Sequence, residues 1–459
     1  MRKSDRKILQ IALPSIVSNI TVPLLGLIDM AIVGHMGSAA YIGAVAVGSM
    51  IFNLVYWLFA FLRMGSSGMT AQALGRRDLK EVTAILVRSL MIALCIALLL
   101  MALQVPLRDL MFWLIGPTAD VAPLARTYFH IVIWGAPASL ALFCLTGWFI
   151  GMQNTRFPMV VSILQNVLNI LASLTLVYGL GMKIEGVALG TVIAQYAGLL
   201  IALGLLIWKP TPSPSLKRGE QLPWRDAFSR KSLFSPAFRD GLGEGLFNVH
   251  LPLFLRTLCL VAVNLYFTSA GARQGAVILS VNTVLLQLYL FFSYFMDGFA
   301  YAGEALGGKA YGARNVSAFR ETLRRLWLWM LIVTSTYTLL YIIGGRWIVS
   351  MLTDEPLVLA AAEDYLFWAW LIPAAGCVAF IWDGIFIGIT ATRGMLVATF
   401  ISALVFFGVD GLTAGIMGNH GLWLAQIACL ATRGIVQTIW YRLRLINAMS
   451  CKNSPGSML

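Results

Sequence analysis

GWFIGMQNTR at 147–156 and GIFIGITATR at 384–393 share six of their ten residues, and 237 positions separate them. The same offset aligns QALGRRD (72–78) with KAYGARN (309–315), which keep Ala, Gly and Arg in register. It also aligns Tyr128 with Tyr365 and Gly34 with Gly271. One short match in a chain rich in Gly, Ala and Leu carries little weight. Four at one spacing indicate that the chain is a duplicated unit.

The composition says what the unit is made of. Of 459 residues, 59% are hydrophobic and 12% charged, and the mean hydropathy is +0.81. Soluble domains are about 45–50% apolar and about 25% charged, so lipid is the expected solvent. Helices and closed barrels are the only spanning solutions, because backbone polar groups must be satisfied within the protein. The apolar runs last about 18–25 residues and do not alternate, which selects helices over roughly 10-residue barrel strands. Twelve spans are predicted, near 8–33, 41–66, 82–105, 122–146, 158–179 and 184–208, then 246–270, 275–302, 325–344, 357–389, 395–417 and 421–443.

Between the sixth and seventh spans lies 209–245, with five prolines and seven basic residues. Pro-rich, charged stretches resist packing into a core. The expected organisation is therefore an N-lobe at 1–208, a cytoplasmic linker at 209–245 and a C-lobe at 246–459. Six spans per copy make the repeats parallel, related by an axis along the membrane normal. The fold class is an all-α membrane protein of two parallel six-helix lobes around a central cleft, the geometry alternating access requires.

Basic residues orient it. With the N-terminus inside, the inner segments hold 25 Lys and Arg and the outer loops five, so both termini are placed in the cytoplasm and the membrane is the cell inner (plasma) membrane. This distribution accounts for the net charge of +13. Nucleic-acid binding would need a basic face interleaved with aromatics, which is missing. The six cysteines are scattered without a C-x-x-C or Cys/His cluster, which supports neither a disulfide framework nor a zinc site.

A charge at the bilayer centre costs about 2.5–3.5 kcal/mol on insertion scales, so ionisable residues within spans mark candidate sites. They are Asp29, Arg63, Arg256, Asp297, Glu304, Asp383, Asp410 and Arg433. Asp29 lies six residues before His35, roughly 9 Å below the outer surface. It suits a carboxylate that takes a proton or coordinates a cation, with an interfacial hydrogen-bonding role as the plainer alternative. Asp383 is ten residues before Arg393 and Asp297 twelve before Lys309, which puts them about 15 and 18 Å from the inner surface. Arg256 falls at a similar depth, and an unpaired buried charge is far more costly than a paired one. An Arg256–Asp383 or Arg256–Asp297 pair is predicted, either a structural ion pair or one that breaks when the aspartate is protonated. Arg63 is expected at a similar depth in the first half, facing the cleft or its entrance. Glu304, Arg433 and Asp410 are read as structural. Pro14 and Pro23 within the first span each remove a helix hydrogen bond and are candidate hinges. Gln165, Asn166 and Asn169 place amides on the fifth span.

Pro14, LIDMAIVGHMG (27–37), QALGRRD, GWFIGMQNTR and their second-half echoes resemble the multidrug and toxic compound extrusion (MATE) family over essentially the whole chain. FMDGFAYAGEALGGKAYGAR (295–314) and FIWDGIFIG (380–388) resemble its DinF-like branch. The resemblance implies that Asp29 is the first-helix carboxylate of an N-lobe cation site, clustered with Tyr128, Asn169 and Thr191. Archaeal-type members carry a second carboxylate four residues after the fifth-helix Asn. Here that place holds Ser173, which throws more weight on Asp29 alone. Other branches use C-lobe carboxylates on the seventh and tenth helices. Here the tenth carries Asp383 about a turn out of register, and the seventh carries Arg256.

The expected activity is antiport of cationic or amphipathic organic compounds against H+ or Na+ (with Na+ possible at Asp29), by a monomer in the bilayer without a cofactor. The alternative within the superfamily is a flippase for a lipid-linked saccharide. That activity should need a strongly cationic cavity, whereas Arg63 and Arg256 are the deep cations. An enzymatic reading rests on Gly65-Ser66-Ser67-Gly68, with Ser67 as nucleophile and a histidine as base. His35, His130 and His420 fall towards the outer side and His250 near the inner end of span seven. Small residues at 65–68 are better explained by helix packing.

Overall fold

The computed structural model describes residues 3–34, 38–208, 222–224, 240–241, 243 and 245–445, without the side chains of 22–25, 27, 30, 39, 246, 444 and 445. Twelve long helices run through the described residues. They are α1 (Lys3–Gly34), α2 (Ala40–Arg76), α3 (Leu79–Ala102), α4 (Ala122–Gly151), α5 (Arg156–Gly179), α6 (Ile184–Trp208), α7 (Phe247–Arg273), α8 (Ala276–Gly312), α9 (Val316–Leu352), α10 (Pro356–Gly388), α11 (Thr392–Met417) and α12 (Asn419–Leu443). All but α1 meet a length and hydropathy criterion for crossing a membrane. A short helix, Gln104–Ile115, follows α3, in a stretch read from sequence as loop. α2, α8 and α9 run past their apolar cores, because nothing stops a helix where its side chains merely become polar.

Two compact units emerge, Leu13–Gly243 and Met1–Ala12 with Glu244–Leu459. The first turns of α1 thus pack with the second unit, where Asp5 lies 3.8 Å from Arg325, and not with the rest of the lobe expected at 1–208. Within each unit the packing order is the same. α2 pairs with α4 as α8 does with α10, α5 with α6 as α11 with α12, and α4 contacts α6 as α10 contacts α12.

The repeated decapeptides show why. Each opens with glycines four residues apart, and these glycines are helix-crossing points. A Cβ on Gly147 would overlap the carbonyl oxygen of Arg63, and one on Gly384 that of Ala300. A Cβ on Gly151 would fall 2.6 Å from the Ser67 carbonyl oxygen, and one on Gly388 2.6 Å from that of Glu304. Every one of these residues has its counterpart 237 positions away. Small residues let the backbones of α2 and α4, and of α8 and α10, touch in the absence of a hydrophobic drive between helices in lipid. Gly65-Ser66-Ser67-Gly68 lies in this crossing, with Ser66 and Ser67 fully buried, and Ser66 Oγ donates to the Leu62 carbonyl at 2.7 Å. That stretch packs within the crossing.

The ends of the decapeptides repeat too. Gln153 and Thr390 take the left-handed conformation at φ 63° and 55°, and Arg77 and Arg314 at 59° and 54°, which is uncommon outside glycine. Asp78 and Asn315 then cap the next helices through the backbone N–H of Glu81 and Ala318, at 3.0 and 2.9 Å, as N-cap residues should. We expect Gly384→Leu, which drives a branched side chain into the Ala300 carbonyl, to cost about 3 kcal/mol, the upper range for overpacking. A thermal melt of the purified protein would measure it, and an unchanged melting temperature would contradict the tight crossing.

Burial is uneven. The apolar window of α10 is 72% buried and that of α9 only 17%, so α10 is the hub of the second unit and α9 faces outward with residues such as Ile343. Most of 209–245 lies outside the described residues. Within it, however, Leu222 is buried in the core of the first unit, and the Trp224 ring sits 5.8 Å from that of Trp148. The apolar triplet Leu-Pro-Trp docks despite the charge around it.

Candidate functional site

In the first unit, α1, α4, α5 and α6 bring polar groups together. Asp29 is 8% exposed, and its Oδ1 accepts no hydrogen bond from the described residues. Tyr128 on α4 lies against Ser49 and Thr191 and within electrostatic range of Asp29. Its ring is seated on Gly48, where any side chain would collide with it. Asn169 on α5 donates to Thr191 Oγ1 at 3.3 Å, and Thr191 donates to the Val187 carbonyl at 3.1 Å. Ser173, one turn beyond Asn169, packs on Gly190. Asn169 Oδ1 and Ser173 Oγ are buried without a partner among the described residues. The result is a lining of oxygen atoms, two of them unfilled, beside one carboxylate that pairs with no Lys, Arg or His among the described residues.

The neighbouring amides tie the helices. Asn166 donates to the Thr21 carbonyl at 3.0 Å, and Thr21 shares a hydrogen bond with Ser162 at 3.0 Å. α1 is helical through both prolines. The side chain of Pro23 lies outside the described residues. Arg63 is half-buried, with its carbonyl at the Gly147 crossing.

The second unit holds the predicted ion pair. Arg256 on α7 donates to Asp383 Oδ2 on α10 at 2.5 Å. Gln437 on α12 donates to Oδ1 at 2.6 Å. Arg433, also on α12, brings its guanidinium to 3.9 Å from the same Oδ2 and lies over the Phe380 ring, 5.9 Å from its centroid. Asp297 lies within electrostatic range of both arginines. Of the two partners foreseen for Arg256, Asp383 is the one in hydrogen-bond contact. Arg433, read from sequence as a structural residue nearer the inner surface than Asp383, lies against Asp383. It stands ten positions before the end of α12 at Leu443, the same count that set the depth of Asp383, so the signal was present. Gln437 is one turn further along the same face. Asp410 accepts from the Tyr266 hydroxyl at 2.7 Å, and Glu304 is buried where α8 meets α10.

Twelve membrane-length helices built as a duplicated six-helix unit, each copy burying ionisable groups, define a multi-pass membrane transporter. The chain belongs to the MatE family, whose model matches it twice, at 14–175 and at 252–410. The two matches fall one in each repeat. It is 38% identical over 445 residues to DNA damage-inducible protein F of Escherichia coli (strain K12), covering 96% of this chain and 93% of that one. It is 27% identical over 457 residues to the chloroplastic protein DETOXIFICATION 44 of Arabidopsis thaliana, covering 95% and 82%. A probable multidrug resistance protein NorM of Thermotoga maritima is 22% identical over 448 residues, covering 95% and 92%. Among solved structures, an outward-facing multidrug resistance MATE family transporter superposes with a TM-score of 0.84 at 21% identity, covering 98% and 97% of the two chains. These likenesses agree with the twelve-helix, two-lobe architecture and with a place in the bacterial inner membrane.

Proposed function

We propose that this protein is a secondary active antiporter that exports cationic or amphipathic organic compounds in exchange for H+ or Na+ by alternating access, with Asp29 as the coupling carboxylate. One contrast carries this reading. Asp383 is already neutralised by Arg256 and held by Gln437, whereas Asp29 is buried with an oxygen to spare and no cationic partner among the described residues. A buried carboxylate needs compensation. Asp29 can obtain it from a proton, from Na+ or from the positive group of a substrate, and competition among these for one site is antiport. Tyr128, Asn169, Ser173 and Thr191 supply neutral oxygens suited to a hard cation or to a hydrogen-bonded proton carrier. The 25-to-five division of basic residues supports cytoplasmic termini, and a chain that carries both repeats supports action as a monomer.

Coupling is an energetic requirement for exporting a cation. Moving one positive charge outward against 100 mV costs about 2.3 kcal/mol. The test is efflux of a cationic dye from proteoliposomes under an imposed pH gradient and, separately, an imposed Na+ gradient. We expect one of the two to drive efflux and its ionophore to abolish it. Efflux indifferent to both gradients would refute antiport.

A further inference from the structure

The charges around Asp383 close on themselves. Arg256 and Arg433 contribute two positive charges, Asp383 and Asp297 two negative ones, and all four lie within electrostatic range. Arg256, Arg433 and Asp383 are each at most 9% exposed. Buried carboxylates are stable only with matching positive charge. In many oxygen-lined sites a free monovalent or divalent cation supplies it. Here the chain supplies it, from two helices, on side chains that cannot diffuse away and that do not lose their protons.

The two arginines are not equivalent. Arg256 makes the short hydrogen bond to Asp383. Arg433 stands off at 3.9 Å, beyond hydrogen-bond range, and its buried Nε has no partner among the described residues. It neutralises the carboxylate without closing on it, with Phe380 stabilising its face. Gln437 Oε1, fully buried, likewise accepts no hydrogen bond from the described residues. The cluster therefore contains carboxylate and amide oxygens beside a positive charge that holds its place mainly by electrostatics.

We propose that Arg433 is a built-in counter-cation that occupies the place of a free Na+ beside Asp383, so that it determines the ion selectivity of the second unit, and that removing its charge creates a Na+ site there. Arg433→Gln leaves the cluster one negative charge in excess. It also adds an amide oxygen to those of Asp383 and Gln437, oxygens of the kind that a hard cation prefers. This inference goes beyond the antiport reading and does not rest on it, because it is read in binding and not in transport.

The experiment uses the full-length purified protein with Asp29→Asn as the starting variant, so that any Na+ held by the first unit is removed. Melting temperature and bound 22Na+ are measured against NaCl, with choline chloride holding ionic strength. The starting variant should show no Na+-specific stabilisation. Adding Arg433→Gln should produce a saturable one, with bound 22Na+ at least about tenfold higher when Na+ is well above its dissociation constant. Arg433→Lys, which keeps the charge, should behave as the starting variant, and adding Asp383→Asn to Arg433→Gln should abolish the response. No Na+ response in Arg433→Gln, or one that survives Asp383→Asn, would overturn the proposal. If Arg433→Gln does not fold, the starting variant still decides: a saturable Na+ response that Asp383→Asn removes would show that the arginines do not replace the ion.

Discussion

Asp29→Asn is expected to lower gradient-driven efflux by more than about tenfold, equivalent to the loss of about 1.4 kcal/mol of coupling, while leaving the melting temperature close to that of the wild type. The side chain keeps its shape and can still hydrogen-bond, so Tyr128 and the neighbouring helices have no reason to repack. It can neither take up a proton nor neutralise a cation, so the site no longer distinguishes its loaded from its empty state. The expected defect is therefore in coupling, without loss of fold. A one-charge substrate opposed by 100 mV faces about 2.3 kcal/mol, or close to 50-fold in concentration. A variant that merely equilibrates its substrate should fall short by that factor at the same potential. Proteoliposome efflux and a thermal melt of one preparation measure both halves of the expectation. Wild-type efflux by Asp29→Asn would remove Asp29 from coupling, and a collapsed melt would make it a structural residue.

Much of this fold was legible in the chain because its determinants are local. Apolar length sets the spans, and the predicted ends coincide with the helix ends at Gly179, Trp208 and Met417, whereas α2 and α8 run ten residues beyond theirs, to the left-handed turns at Arg77 and Arg314. The repeat was legible because helix crossings constrain side chains severely. Gly147, Gly151, Gly384 and Gly388 tolerate no Cβ in place, and Arg77, Arg314, Asp78 and Asn315 serve a turn and a cap that the packing of the next helix requires. Depth counting placed Arg256 and Asp383 at one height, and they meet.

The shortfalls have a common cause. Tyr128, Thr191 and Ser173 entered through resemblance, because a neutral polar residue on an apolar helix has no spacing signature. Only the packing of α4, α5 and α6 brings Tyr128 to Thr191, Thr191 to Asn169 and Ser173 to Gly190. The approach of Arg433 to Asp383, and Gln437 altogether, are not legible for a related reason. Their partner lies on α10, and the contact of α12 with α10 is a tertiary fact. The docking of Leu222 and Trp224 was hidden by the surrounding charge.

The ion cluster permits the second large prediction, concerning stability. Asp383→Ala leaves Arg256 and Arg433 within electrostatic range of each other, with Asp297 as a carboxylate still in range. Removing one partner of a buried pair typically costs about 3–5 kcal/mol, because the remaining charge is left uncompensated. We expect the largest drop in melting temperature of any substitution in the second unit outside the glycine crossings. Replacing the pair together, as Arg256→Met with Asp383→Leu, should recover much of that loss, since two apolar side chains of similar volume remove the desolvation penalty along with the attraction. Efflux by the double variant then tells scaffold from switch. The hydrogen-bonded pair and the hub position of α10 favour a scaffold, so we expect efflux to return with stability. A double variant that melts like the wild type yet fails to transport would show instead that the pair must open in each cycle.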